Sequence, residues 1–321
     1  MQIFITGASG FVGGAATEAL LADGHQVFAM SRSESSDQLI RRLGATPVRC
    51  DLQSVTSSAL QGCEAVIHCA AYVEPWGPKH VWYDANVIGT KNVVAAAKAA
   101  GVKRFIHIGT EAAICYGQNV LNADESEPLA LDSPYPYCST KALAEQHVLS
   151  ENSDVFQTLS MRPRFIWGPG DKTLLPIIEE MAASGKWMWI NDGKAETSTT
   201  HIANLVHAIT LSLTEGQGGE AYFILDDGTI SLKEMISGMA ASKGLALADK
   251  SVPMGLADFV GKSCERIWRL LNIKSQPPLT AHAAMVMSRD CVLNGDKAAR
   301  ELGYRPVIER TQGLEALTSD I

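Results

Sequence analysis

The chain of 321 residues lacks several features that would each have named a class of protein. Its seven cysteines, at 50, 63, 69, 115, 138, 264 and 291, form no C-x-x-C pair. That removes the usual spacing of zinc ribbons and dithiol centres, and the apolar or small neighbours of most of them suit reduced, buried thiols. No metal-ligand spacing surrounds His201 or His207, so no metal is expected. No apolar run reaches the length of a membrane span, and no basic segment precedes an apolar one at the start, so a cytoplasmic protein without an integral membrane segment is expected. Positive charge is also in deficit: 27 Lys and Arg against 35 Asp and Glu leave a net −8, which weighs against non-specific nucleic-acid binding. Repeats and low-complexity stretches are absent. A hydrophobic share of 46% with 19% charged residues is enough for a sizeable folded core.

What is present is an alternation. Strand-like runs at 2–5, 26–30, 46–49, 65–68, 105–108 and 157–161 are separated by helical segments at 11–22, 37–43, 81–100 and 140–150. Parallel strands with right-handed crossovers follow, and so does an α/β, doubly wound sheet. The rhythm changes after Trp167. The expected division is therefore a nucleotide-binding domain over 1–166 and a smaller substrate lobe over 167–321, some of whose segments return to the sheet.

Between the first strand and the first helix lies Thr6-Gly7-Ala8-Ser9-Gly10-Phe11-Val12-Gly13-Gly14. Glycines at 7, 10 and 13 suit a sharp turn, close approach to a diphosphate and tight packing of helix on strand. With Ser9, Phe11 and Val12 they form the expected dinucleotide cradle at a helix N-terminus. The second strand ends in Ser31-Arg32-Ser33, with no carboxylate for ribose hydroxyls. Arg32 is suited to a 2′-phosphate, so NADP(H) is favoured over NAD(H). Asp51 and Leu52 follow the third strand, where the carboxylate could meet the adenine amino group or cap a turn. Cys69, Ala70 and Ala71 end the fourth with small side chains, and Asn86 is suited to orienting backbone.

Tyr137 and Lys141 fall one turn apart on a helix, on the same face. A tyrosine with a pKa near ~10 is a poor base at neutral pH. An ammonium at ~4 Å in an effective dielectric of ~20 would favour its phenolate by up to about 4 kcal/mol. Thr110 ends the fifth strand, where its hydroxyl could bond a substrate oxygen. Glu111, Arg164 and Trp187 are candidate substrate contacts. Arg164 could hold an anionic group or form a structural ion pair, and core packing competes for Trp187 and for the amphipathic segment 255–271.

These motifs resemble the extended short-chain dehydrogenase/reductases, the superfamily of NAD(P)-dependent epimerases, dehydratases and hydroxysteroid dehydrogenases. The resemblance covers nearly the whole chain: T-G-A-S-G-F-V-G-G, D-L at 51, H-C-A-A at 68, A-N-V-x-G-T-x-N from Ala85, G-T-E-A at 109, Y-C-S-T-K at 137 and R-P-R-F-I-W-G-P-G-D from Arg162. It implies a Rossmann-type sheet, with Tyr137 as general acid/base, Lys141 holding ribose, Thr110 polarising the substrate and Pro163 and Ile166 along the nicotinamide. Glu111-Ala112 departs from the Asp-Glu pair of sugar-nucleotide 4,6-dehydratases, and the segment from Arg162 is similar to the 3β-hydroxysteroid dehydrogenase-like branch. An oxidoreductase interconverting a secondary alcohol and a ketone on an apolar, steroid-like or acyl small molecule is implied. A sugar-nucleotide epimerase or dehydratase with tightly bound NAD is the alternative, and a homodimer through the helices near 81–100 and 140–150 is compatible with the family.

Overall fold

The computed structural model describes residues 1–319. Seven parallel strands form the central sheet: β1 (Gln2–Thr6), β2 (Gln26–Ser31), β3 (Thr46–Arg49), β4 (Ala65–His68), β5 (Arg104–Ile108), β6 (Gln157–Pro163) and β7 (Glu220–Ile224), in the order β7-β6-β5-β4-β1-β2-β3. The central strands are apolar on both faces because helices cover both: Ile3, Phe4, Ile5, Ala65, Val66 and Ile67 have no exposed surface. The order in which strands are added reverses between β1 and β4, and the glycine turn leading into α1 (Phe11–Ala22) lies at that switch point.

Helices α2 (Glu34–Leu43), α3 (Gly89–Ala99) and α4 (Pro136–Ser150) follow β2, β4 and β5. Gly44 ends α2 in the left-handed conformation, with φ 93°. Ahead of α3, one helical turn at Lys79–Trp82 passes through a π-helical stretch, Tyr83–Ile88. Pro136 opens α4 at a position where its missing N–H costs nothing.

The two halves of the chain are interleaved. Glu220–Ile224, well past the expected boundary at 166, returns as β7 and pairs with β6 along five residues. The helix before it, α5 (Ile202–Leu211), packs on α1. In the other direction, Val120–Ala123 leaves the first half to join a four-stranded sheet with Ile230–Ser231, Glu196–Thr197 and Cys291–Leu293. The second lobe has its own apolar core, in which Trp167, Trp189, Leu232, Ile236 and Met239 are fully or almost fully buried. Asp226 ties the lobes together by accepting from Trp167 Nε1 (2.8 Å), Thr199 Oγ1 (2.7 Å), the His201 backbone N–H (2.7 Å) and Asn204 Nδ2 (2.7 Å).

Candidate active site

A cleft of about 1640 Å³ crosses the carboxyl ends of the strands. One arm begins at the glycine turn and is lined by Gly7, Ser9, Gly10, Phe11, Val12 and Gly13, with Arg32, Asp51, Leu52, Cys69, Ala70 and Ala71 beside them. Gly7 adopts φ 76°, and a Cβ there would meet the Ala70 backbone nitrogen at 2.9 Å. A Cβ on Gly13 would fall 2.2 Å from the Gly7 carbonyl oxygen. Both positions therefore require glycine for the turn to close on β4 and α1. Gly10 begins α1 with no side-chain cap, leaving N–H donors of the first turn free for an anion.

Arg32 is exposed and has no ion-pair partner among the described residues. Asp51 caps its turn, accepting from the backbone N–H groups of Gln53 and Ser54 and from the Ser54 hydroxyl, each at 2.8 Å. Those bonds, the hydroxyl's first, hold its carboxyl below the ordinary value. Asn86 does not reach the cleft. Its amide is spent on the Tyr72 backbone (2.7 Å to N, 3.1 Å to O) and on Thr140 Oγ1 (3.2 Å), so it orients backbone, tying the loop after β4 to α4, and makes no direct contact with the cradle.

The strand ends converge on Thr110, Glu111 and Tyr137, with Pro163, Arg164 and Ile166 from the end of β6 completing the wall. Thr110 Oγ1 donates to Glu111 Oε2 at 2.7 Å. Glu111 Oε1 accepts from Arg164 Nη1 at 2.6 Å in a pair whose side chains are each 6% exposed. Arg164 Nε also donates to Thr197 Oγ1 at 3.1 Å. Of the two roles open to Arg164, it fills the ion pair. Tyr137 sits in the first turn of α4 and packs against His282 at 5.9 Å between ring centroids.

Lys141 is buried behind this wall rather than in it. Its ammonium donates to the Ile108 carbonyl oxygen at 2.7 Å and lies 3.2 Å from His107 Nε2. Burial lowers its pKa to about 8, opposed by Glu145 and Cys69. The expected bias of Tyr137 toward phenolate is reversed here. Burial first, and then the Glu111 charge, push the phenol above its ordinary value, with Thr110 pulling the other way. Lys141 is directed at the β5 carbonyl instead of at the phenol.

Beyond Tyr137 the second arm runs under two helices of the lobe, α8 (Met254–Leu270) and α9 (Ala281–Val286), which follow α6 (Leu174–Ala183) and α7 (Leu232–Ser242). Ile177, Tyr135, Met285 and Val286 give this arm apolar walls, while Asp258, Lys262, Glu265 and Arg269 face it from α8. Trp187 is not among them. It is 5% exposed and stacks edge-on with Trp189 at 5.1 Å in the lobe core, so its candidacy as a substrate contact is corrected. For α8 the core expectation fails in the opposite sense: Leu256, Phe259, Ile267 and Leu270 are all exposed. Among the described residues no group of three His, Cys, Asp or Glu side chains is placed to hold a metal ion, and no helix is long and apolar enough to cross a membrane.

Residues 4–254 match the model of the 3-beta hydroxysteroid dehydrogenase/isomerase family. The chain belongs to this family of oxidoreductases. A ketoreductase of Stigmatella aurantiaca acting on 4-hydroxy-2-methyl-3-oxo-4-farnesyl-3,4-dihydroquinoline-1-oxide is 35% identical over 99% of this chain and 96% of its own. A 2-alkyl-3-oxoalkanoate reductase of Stenotrophomonas maltophilia is also 35% identical, over 99% and 98%. Among solved structures, DesIV, a dTDP-glucose 4,6-dehydratase of Streptomyces venezuelae with NAD and TYD bound, superposes with a TM-score of 0.78 over 100% of this chain and 96% of its own. At 20% identity that likeness is one of fold.

His107, Ser160, Glu145 and Arg162, buried below Lys141, went unnoticed in the sequence. A histidine inside the apolar run Phe105–Ile108 was the one available signal. His282 carried none.

Proposed function

We propose that this 3-beta hydroxysteroid dehydrogenase family member is a ketone reductase with an apolar substrate and NADP(H) as cofactor. The observation that carries this reading is the convergence of Thr110 and Tyr137 on one cleft, with Lys141 directly behind, at the far end of a glycine cradle whose turn admits no Cβ at Gly7 or Gly13. The cradle fits a dinucleotide diphosphate. Arg32, free at the end of β2, suits a 2′-phosphate.

When bound, a nicotinamide supplies the hydride. The chain's own residues handle the oxygen. Tyr137, kept protonated by burial and by Glu111, donates its proton to the oxygen that becomes the alcohol. Lys141 holds positive charge behind it, and its remaining N–H is left for the cofactor's ribose. Thr110 must turn from Glu111 to meet the substrate oxygen, so Glu111 sets what that polarisation costs. The apolar walls that Ile177, Tyr135, Met285 and Val286 give the second arm, and two relatives named as ketone reductases, support a ketone with an apolar part, and the charged groups of α8 face the same arm. The dehydratase form of the sugar-nucleotide alternative is less supported, because Ala112 stands where a second carboxylate would be needed and Glu111 is engaged by Arg164.

A panel of a β-keto acid with long alkyl chains, a ketosteroid and a UDP-sugar, read with NADPH and NADH at 340 nm, tests the reading. Tyr137→Phe should keep cofactor binding and lose turnover by about 10²–10⁴-fold; near-normal turnover would sink it. Arg32→Asp should cut the preference for NADPH by roughly ten- to a hundredfold, and an unchanged ratio would remove the 2′-phosphate assignment.

A further inference from the structure

Beneath the cleft runs a chain of buried polar side chains of which only the first, Lys141, has been given a task. His107 Nδ1 is 3.1 Å from Ser160 Oγ, and Ser160 Oγ donates to Glu145 Oε2 at 2.7 Å. Glu145 is gripped by Arg162 through Nε (2.9 Å) and Nη2 (2.5 Å). Strand register makes the contact: His107 of β5 lies beside Ser160 of β6 on one side and His68 of β4 on the other. Gly109 makes the room, since a Cβ there would fall 2.6 Å from Ser160 Oγ and 2.9 Å from Glu145 Oε2.

The order of donors follows by elimination. A carboxylate paired with arginine only accepts, so the Ser160 hydroxyl hydrogen belongs to Glu145. His107 then meets the Ser160 lone pairs, so Nδ1 must carry the imidazole hydrogen. Nε2 is left as a bare acceptor, and the donor facing it is the Lys141 ammonium at 3.2 Å. A protonated or Nε2–H imidazole would set donor against donor.

We propose that His107 is a positioning residue for Lys141: locked as the Nδ1–H tautomer by Ser160 and the Glu145–Arg162 pair, it takes one ammonium hydrogen, the Ile108 carbonyl takes the second, and the third is left for the cleft. This rests on the reading that Lys141 serves the site. The groups facing Lys141 are Glu145 from its own helix, Cys69 and His68 from the end of β4, and His107 from β5, with Arg162 of β6 acting on His107. Burial and the lysine charge push His68 down to about 3 and His107 well below its ordinary value, so both rings stay neutral and neither repels the ammonium.

Nitrogen-15 NMR of the full chain labelled on histidine should show His107 protonated at Nδ1 and bare at Nε2 throughout the neutral range. Lysine labelled at Cε should report the Lys141 titration. His107→Leu should lower the Lys141 pKa by about one to two units, the loss of a hydrogen bond to a charged group. His107→Gln, whose amide accepts and donates in the same order, should restore it. Should the leucine variant fail to fold, Ser160→Ala serves: it should release the tautomer and lower the Lys141 pKa part of the way. A wild-type His107 protonated at Nε2 overturns the proposal, as does a Lys141 titration unmoved in the variants. Neither readout needs substrate, so a failure of the ketone-reductase reading would show in Tyr137→Phe kinetics and leave these spectra unchanged.

Discussion

Replacing Glu111 by glutamine isolates the buried pair at the centre of the cleft. The substitution preserves shape, keeping an oxygen for either Arg164 or Thr110 but not for both, and leaves the Arg164 guanidinium without a counter-charge while 6% exposed. Removing one member of a buried ion pair costs about 3–5 kcal/mol, because the survivor remains desolvated and unpaired. Against a total stability of about 5–15 kcal/mol this is a large share. At roughly 2–4 °C per kcal/mol it corresponds to a fall in Tm of about 6–20 °C. A denaturant series on wild type, Glu111→Gln, Arg164→Met and the double variant measures the pair directly. Once both charges are gone nothing is left unpaired, so the double variant should be more stable than the sum of the two single losses requires, by a coupling of about 2 kcal/mol or more. Additive losses, or a single variant costing less than about 1 kcal/mol, would show that the pair is not the desolvated contact its distances describe.

Two further substitutions probe the packing around it. Gly109→Ala drives a methyl against Ser160 and Glu145, and should cost about 1–3 kcal/mol by overpacking; unfolding at the wild-type denaturant midpoint would contradict the closeness of that contact. Trp187→Ala empties part of the lobe core and should cost about 3–5 kcal/mol, while NADPH affinity, read by fluorescence titration, stays at the wild-type value because Trp187 does not line the cleft.

The sheet was legible where its strands are continuous apolar runs and its helices stop at glycine. β3, β4 and α1 have the bounds that the pattern suggests, and the six expected strands all occur. That some later segment returns to the sheet was expected, but not that it is Glu220–Ile224, because lobe segments interrupt the strand–helix rhythm before it. Periodicity identified α8 as amphipathic but could not say which side meets solvent; Phe259 is 68% exposed and Leu270 82%. The candidate cleft residues were readable because short motifs at strand ends announce them. Neither the Glu111–Arg164 pair nor the relay from Lys141 to Arg162 could be read that way. Their contacting members stand up to 53 positions apart and meet only through the β5–β6 register and the packing of α4 on those strands.

The interleaving of the two halves bears on how the cleft can open. A lobe joined by one linker swings like a door. Here the chain enters the lobe at Val120–Ala123, returns for α4 and β6, leaves again, and comes back once more as α5 and β7. Several anchored crossings leave no single linker that joins the lobe to the sheet. A cut at the 166 boundary would free no lobe, because it strips β6 of its outer neighbour.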